Sequence, residues 1–317
     1  RRIELALGRS PEALGEDIVR FVEDVNPPNL GAFWRNRNTA WRLLKIRPRT
    51  TRRAMSQEVV EEPRLDQLPI LKCWPEDGGR FVTLPLVMSR DPQTGAGNMG
   101  IYRMQVYGPR TTGMHMQIQK GGGFHYQVAE KLGKPLDMAV AVGGDPSLIL
   151  AALMPLPEGL DEVAFSGIVR GQRTPLAKAK TVGLKVPAHA EFIFEGVVKP
   201  YVRRNEGPFG DHFGHYSQAA CHPVFEITRV TRRRNPIYPA TVVGRPPQED
   251  RYLGDAAQLA LTPLVRVLRR EIKDMWAYYE AGFHNLLVVS VEARYAREPI
   301  KTALGLLGEG QLSLTKT

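Results

Sequence analysis

The segment from Glu206 to Tyr216, Glu-Gly-Pro-Phe-Gly-Asp-His-Phe-Gly-His-Tyr, brings two carboxylates and two imidazoles together with three glycines and a proline. Glycine and proline fix an irregular loop rather than a helix or strand, and loops on a rigid scaffold are where catalytic side chains concentrate. A solvated turn is the plain alternative for this segment alone. A second segment weighs against it. From Gly95 to Ala129 the chain has no Asp or Glu, yet carries Arg103, Arg110 and Lys120 in a glycine-rich frame. Backbone amides in such turns and fixed guanidinium groups hold phosphate or carboxylate, so the stretch reads as an anion site. Gly95, Gly97 and Gly100 also match the dinucleotide fingerprint G-x-G-x-x-G. That fingerprint needs a helix next and an acidic residue about 20 positions on. Here Ile101 to Tyr107 alternates as a strand does and no acid follows in range, which excludes it.

The elements that must position these residues follow from periodicity. Ser10-Pro11-Glu12 caps a helix with Leu14, Ile18, Val22 and Val25 on one face. Leu68 to Leu86 reads as short strands broken at a turn, Glu76-Asp77-Gly78-Gly79. Tyr126 to Leu132 predicts a helix, and Asp145-Pro146 opens another through Met154. Val163 to Val230 reads as mostly β. Asp255 to Tyr279 has helical spacing through Leu264, Val267, Leu268, Ile272 and Trp276, followed by a strand over His284 to Glu292 and a helix over Glu298 to Leu307.

Composition bounds the rest. With 317 residues, 43% hydrophobic and 24% charged, the chain has room for two domains. Its longest apolar runs, near Leu148 to Pro157 and Leu286 to Val289, fall far short of the ~18 residues a membrane helix needs. The start, Arg1-Arg2-Ile3, has no initiator methionine and no apolar signal core, and reads as trimmed rather than targeted. Two distant cysteines, Cys73 and Cys221, make neither a disulfide framework nor a zinc spacing, so a reducing, cytoplasmic setting is expected. The net charge is +10, and Val25 to Gln57 alone carries Arg35, Arg37, Arg42, Lys45, Arg47, Arg49, Arg52 and Arg53 with no acid. Trp34 and Trp41 interleave with them, a pattern that can bind nucleic acid. No nucleic-acid motif accompanies it, and a solvated or partner-covered arm is the favoured reading.

Asn98-Met99-Gly100-Ile101-Tyr102-Arg103, Gly143-Gly144-Asp145-Pro146, Pro155-Leu156-Pro157, Leu160-Asp161-Glu162, Val186-Pro187-Ala188, Glu195-Gly196, Glu206-Gly207-Pro208-Phe209-Gly210-Asp211-His212 and Gly244-Arg245-Pro246-Pro247 occur in this order. The ordered set resembles the UbiD-type decarboxylases, most clearly from Leu68 to Thr317. The resemblance implies an α+β fold: a central split β-barrel of the FMN-binding type, flanking α/β elements and a truncated C-terminal α/β domain. The corresponding divisions are an N-terminal helical and basic segment over residues 1–62, the flavin-binding barrel over 63–254, and a linker helix with the start of the C-terminal domain over 255–317. A fragment of this kind is expected to be poorly active alone.

The family decarboxylates aromatic or α,β-unsaturated acids, sometimes reversibly, on prenylated FMN held through a divalent metal, usually manganese, with potassium. By resemblance, Arg103, Glu206 and Asp211 are the catalytic residues. Asn98, Gly100, Ile101, Tyr102, Arg103, Gln119, Lys120, Met154 and Pro155 bind the cofactor, and Asn98, Gln119 and Glu162 hold the metal. Gln119 stands where the family commonly has histidine. It ligates through its carbonyl oxygen, or His115 or His125 substitutes, or the metal site is weakened. A flavin prenyltransferase is implied as cofactor source and a homo-oligomer for the full-length form. Physical chemistry adds roles. A planar guanidinium pairs with a substrate or flavin anion, and an acid that protonates carbon is expected to have a raised pKa, with Asp211 the candidate. A carbanion left by departing carbon dioxide needs an electron sink that ordinary side chains do not offer. His189, His222 and His284 read as structural or surface residues. The competing readings are a non-catalytic flavin- or nucleic-acid-binding module and an ordinary FMN oxidoreductase, the latter lacking any nicotinamide motif.

Overall fold

The computed structural model describes residues 2–25, 47–117, 121–154, 156, 161–283, 285–308, 312 and 315. Most of the basic arm, with Trp34 and Trp41, therefore lies outside the described residues, as do Gln119, Lys120, Pro155 and His284. The chain divides into two compact units, one of residues 47–152 and 159–249, the other of residues 1–46, 153–158 and 250–317.

The first unit is built on a nine-stranded antiparallel sheet. Its path runs Phe81–Val82, Met104–Gly108, Thr111–Gly113, Ala220–Arg232, Phe192–Glu206, Leu136–Val142, Pro85–Arg90 and Gly97–Ile101, with Val59–Glu61 also paired to Ala220–Arg232. The sheet curls into a half-barrel. Its long central hairpin, Phe192–Glu206 against Ala220–Arg232, shifts register at Glu195/Gly196 and again between Val198 and Arg203. Such bulges bend a strand and sharpen its twist. Gly196 is required at the first, since a Cβ there would overlap the Glu226 carbonyl. The concave core is made by alternate residues of neighbouring strands, with Val140 opposite Phe194 and both fully buried. Burial of each such side chain contributes about 1.5–3 kcal/mol. A helix over Gly121–Lys131 packs on the Gly97–Ile101, Pro85–Arg90 and Phe192–Glu206 strands.

Four expectations shift. The expected strand through Ile101 to Tyr107 is two strands, and Tyr102 and Arg103 form the break between them. The helix expected from Tyr126 begins at Gly121, because Gly121 and Gly122 lie against Asn98 and Tyr102 where a Cβ would collide. The β stretch expected from Val163 begins instead with a helix, Glu162–Arg170, whose N-cap Asp161 accepts the Val163 and Ala164 N–H groups. Of the Leu68 to Leu86 strands, Leu71 makes only an isolated bridge to Phe81.

In the second unit, Ser10 Oγ accepts the Ala13 N–H and caps the helix Pro11–Val25, with Leu14 and Ile18 buried as expected. Gly15 packs so closely on the Glu249–Leu268 helix that a Cβ would lie 2.8 Å from the Ala260 carbonyl oxygen. The helical spacing read through Trp276 stops at Leu268. Ile272–Ala277 is a strand paired antiparallel to Leu287–Val291, and cross-strand hydrogen bonding overrides the apparent period there. The helix Glu298–Leu307 follows with the expected bounds. Among the described residues, no helix is long and apolar enough to cross a membrane.

Candidate active site

Arg103 sits in the break between Gly97–Ile101 and Met104–Gly108, so its backbone is not committed to a ladder on both sides. Its carbonyl oxygen accepts the His115 N–H at 3.1 Å. The guanidinium forks three ways. Nε donates to Glu206 Oε1 at 3.2 Å, Nη2 donates to Ser217 Oγ at 3.1 Å, and Nη1 lies 3.6 Å from Asp211 Oδ2. The Phe209 ring lies under it, 4.4 Å from centroid to Cζ. The structure thus gathers Arg103, Glu206 and Asp211 at one point.

The loop carrying the two acids is braced from beneath. Gln105 Oε1 accepts the Gly207 N–H at 2.8 Å, and its Nε2 donates to the Gly78 carbonyl at 2.7 Å. Gly78 in turn donates to Pro208 O at 2.8 Å. Asp77 is buried and accepts the Cys73, Trp74 and Gly210 N–H groups. Gly207 has φ +100°, a conformation in which a side chain would be strained. Phe209–Gly210 then pairs with Tyr216–Ser217, which returns Ser217 to Arg103.

Glu206 is only 1% exposed and has two further neighbours. His115 Nδ1 lies 2.6 Å, and His222 Nε2 3.6 Å, from Glu206 Oε2. The two imidazole rings are 4.2 Å apart. His222 is therefore a site residue, which corrects its reading as a structural or surface histidine. The register explains why: Glu206 pairs with Ala220, and His222, two residues on, falls on the same face. Burial alone would raise the Glu206 carboxyl, but the His115 hydrogen bond and the Arg103 charge outweigh it and hold the group below the usual carboxylate range. Burial lowers His222 below the usual histidine range, helped by the His115 and Arg103 charges.

Asp211 departs from expectation. Burial acts to raise it, but the hydrogen bonds from the His212 ring and backbone N–H and the Arg103 charge hold it below the usual range. His212 Nδ1 is 2.7 Å from Asp211 Oδ1. In the resting site Asp211 is an anion rather than the poised acid expected.

Of the expected cofactor-binding residues, Asn98, Gly100 and Ile101 lie on the strand Gly97–Ile101, and Tyr102 and Arg103 in the break that follows it. Asn98 Nδ2 donates to Tyr102 OH at 3.3 Å, and the same hydroxyl accepts the Gly122 N–H at 3.1 Å. Gly121 leaves room for Asn98 Oδ1, and Gly100 leaves room for the Tyr102 ring. Glu162 Oε2 accepts the Met99 N–H at 3.0 Å, which brings Glu162 to the residue next to Asn98. Burial pushes the Glu162 carboxyl above its usual range against the hydrogen bonds from its own and the Met99 N–H groups. A half-buried carboxylate bonded to the residue next to a side-chain amide offers oxygen donors of the kind that suit a hard divalent cation. Among the described residues, Asn98 and Glu162 fit such an ion. Of the histidine alternatives for the remaining ligand, His115 has Nδ1 2.6 Å from Glu206 Oε2, and His125 is buried with Nδ1 2.9 Å from Ser89 Oγ. Ile101 is half-buried, and Met154 is buried in the second unit. Cys73 and Cys221 are free thiols.

Residues 48–246 match the 3-octaprenyl-4-hydroxybenzoate carboxy-lyase Rift-related domain, and residues 251–317 match the C-terminal domain of the same family. The chain belongs to the UbiD family, and a short portion of its C-terminal domain is present. A protein of Archaeoglobus fulgidus is 45% identical over 318 residues, covering 100% of this chain and 66% of that protein. A 4-hydroxybenzoate decarboxylase component of Chlamydia pneumoniae is 39% identical over 316 residues, covering 99% of this chain and 54% of that protein. The chain thus spans from about half to two thirds of the length of the curated relatives it matches. Among solved structures, vanillic acid decarboxylase of Sedimentibacter hydroxybenzoicus in its closed form superposes with a TM-score of 0.80 at 27% identity, covering 90% of this chain and 62% of that one. The UbiD-class enzyme HmfF of Pelotomaculum thermopropionicum, in complex with FMN, gives 0.77 at 29% identity, covering 96% and 65%.

Proposed function

We propose that the chain is the flavin- and substrate-binding part of a UbiD-type carboxy-lyase. It acts without net oxidation on an aromatic or α,β-unsaturated carboxylic acid, of which a hydroxybenzoate-type quinone precursor is the reference substrate. The observation that carries this reading is the Arg103 fork between Glu206 at 3.2 Å and Asp211 at 3.6 Å. The cofactor is prenylated FMN with manganese or another divalent cation and potassium. Asn98 and Glu162 are the described residues that would hold the metal, with Gln119 completing the set. Bound there, the flavin would supply the electron sink that decarboxylation needs.

The side chains divide the remaining work. Arg103 presents a planar cation to the substrate carboxylate, and Glu206, Ser217 and Phe209 keep it aimed. The substrate carboxylate, a third at Arg103 after Glu206 and Asp211, brings negative charge towards Asp211 and shares the cation that helps His212 hold Asp211 ionised, so its proton affinity rises when substrate binds. Asp211 then takes a proton through His212 and returns it to carbon as carbon dioxide leaves. The prenylated cofactor would come from a flavin prenyltransferase, the full-length protein would be a homo-oligomer, and the location would be cytoplasmic. The test is anaerobic co-expression with a flavin prenyltransferase, then absorbance, mass spectrometry and metal analysis of what co-purifies. Prenylated FMN with manganese is expected; a folded protein that retains no flavin under these conditions would overturn the reading.

A further inference from the structure

The His115, Glu206 and His222 ligand atoms lie within 4.8 Å of one another, one carboxylate oxygen and two imidazole nitrogens, in a group of which Glu206 is almost fully buried. The three are held on adjacent strands. Glu206 ends Phe192–Glu206, and His222 lies on its hairpin partner. His115 follows Thr111–Gly113, which pairs with the same partner strand. Main-chain bonds fix the third position: Met114 N–H donates to Pro223 O at 2.9 Å, and His115 N–H donates to Arg103 O at 3.1 Å.

We propose that His115, Glu206 and His222 form a binding site for a divalent transition-metal ion of the zinc and cobalt class, separate from the oxygen-rich Asn98 and Glu162 site. Two nitrogens and one carboxylate oxygen with an open fourth position are a donor set of this class, whereas magnesium, and less strictly manganese, favours oxygen-rich sites. With bonds of about 2.0–2.2 Å, tetrahedral ligands stand roughly 3.4 Å apart. The 3.6 Å between His222 Nε2 and Glu206 Oε2 already meets that spacing, whereas His115 must open from its 2.6 Å hydrogen bond and settle at the same spacing from His222, which the 4.8 Å envelope of the group allows by a small side-chain shift. Arg103 occupies Oε1, leaving Oε2 as the single metal-facing oxygen and fixing the carboxylate from the outer side. The neighbouring charges are accounted for: Arg103 opposes the ion, while Asp211 on the far side of the guanidinium partly offsets it. An ion here would take up the Glu206 oxygen that faces the imidazoles, so zinc would act as an inhibitor that excess manganese does not relieve.

The proposal stands apart from the carboxy-lyase reading, because binding is measured without turnover. The purified chain is titrated with Co2+ and followed by visible absorption. One equivalent is expected to produce the intense bands of a low-coordinate ion, with affinity reduced in His222→Ala and in His115→Ala by more than the roughly 10–100-fold that loss of an outer-shell partner costs. Glu162→Gln is expected to leave the bands in place. Unchanged bands in both histidine variants, or loss in Glu162→Gln alone, would overturn the proposal. Should either histidine variant fail to fold, pulsed EPR of the unaltered chain with one equivalent of Cu2+ decides. Coupling to two imidazole nitrogens supports the site, and coupling to fewer refutes it.

Discussion

Gln105 and Gly207, 102 residues apart, are joined by a hydrogen bond of 2.8 Å from the Gly207 N–H to the Gln105 side-chain oxygen. The same side chain donates to Gly78 O, so one amide ties the loop bearing Glu206 to the turn beneath it. Replacing Gln105 with Leu removes both bonds, leaving the half-buried Gly207 N–H and the Gly78 carbonyl without this partner. The expected cost is about 1–3 kcal/mol of stability. Denaturant unfolding would show it, alongside a fall in kcat larger than any change in flavin affinity.

Arg103 lies against a carboxylate with almost no access to solvent. Arg103→Ala strands that charge, and removing one partner of a buried pair costs about 3–5 kcal/mol. The double variant Arg103→Ala/Glu206→Gln should therefore unfold at higher denaturant than Arg103→Ala alone, and a double-mutant cycle measures the difference. Additive effects would show that the pair is uncoupled.

Arg103→Lys separates charge from shape. Lysine keeps the cation but has no fork to reach Glu206, Ser217 and Asp211 together. Decarboxylation by the cofactor-loaded protein is expected to fall by roughly 10²–10³-fold, on the scale of losing one positioned donor, with little change in melting temperature.

Gly121→Ala places a methyl group where Asn98 Oδ1 lies. The amide must turn away, so metal bound per chain, read by elemental analysis, is expected to drop sharply. Gly133→Ala meets nothing nearby but has φ +63°, and should affect stability rather than metal content.

Acid stability follows from Glu130, which Arg203 grips through both nitrogens at 2.7 and 2.8 Å. Burial works to raise the Glu130 carboxyl, but the Arg203 hydrogen bonds, the Tyr201 N–H and the Tyr126 hydroxyl hold it below the usual range. A carboxyl lowered in the folded state stabilises above its unfolded pKa, about 4.3, and that contribution is lost as pH falls through the lower folded value. Arg203 is partly exposed, so screening limits the effect to about 1 kcal/mol. Glu130→Gln should thus lower stability at neutral pH by about that amount and flatten the profile below about pH 4.5, where the wild-type contribution is already being lost.

What could be read from the residues alone follows physical range. The Ser10 cap, the Asp145-Pro146 helix start and the Glu298–Leu307 helix depend on neighbours in sequence, and were legible for that reason. The Arg103 and Glu206 to Asp211 segments announced themselves by residue type. His222 did not, because it reaches Glu206 only through the register of a hairpin with two bulges, which no local spacing encodes. The low proton affinity of Asp211 was hidden for another reason: it depends first on the loop turning the His212 ring and N–H onto the carboxylate, and then on the charge of Arg103. Ile272 and Trp276 misled because four-residue spacing also occurs in a twisted strand pair.

The long hairpin gives the site one further property. Glu206 and His222 ride on paired strands, so any flexing of the sheet carries them as a single body and preserves their separation. Arg103 hangs from a strand break and Asp211 from the adjoining loop, outside that ladder. Motion within the site would therefore register at the guanidinium contacts first, making Arg103 the hinge pin between a stiff half and a pliant half of the same cluster.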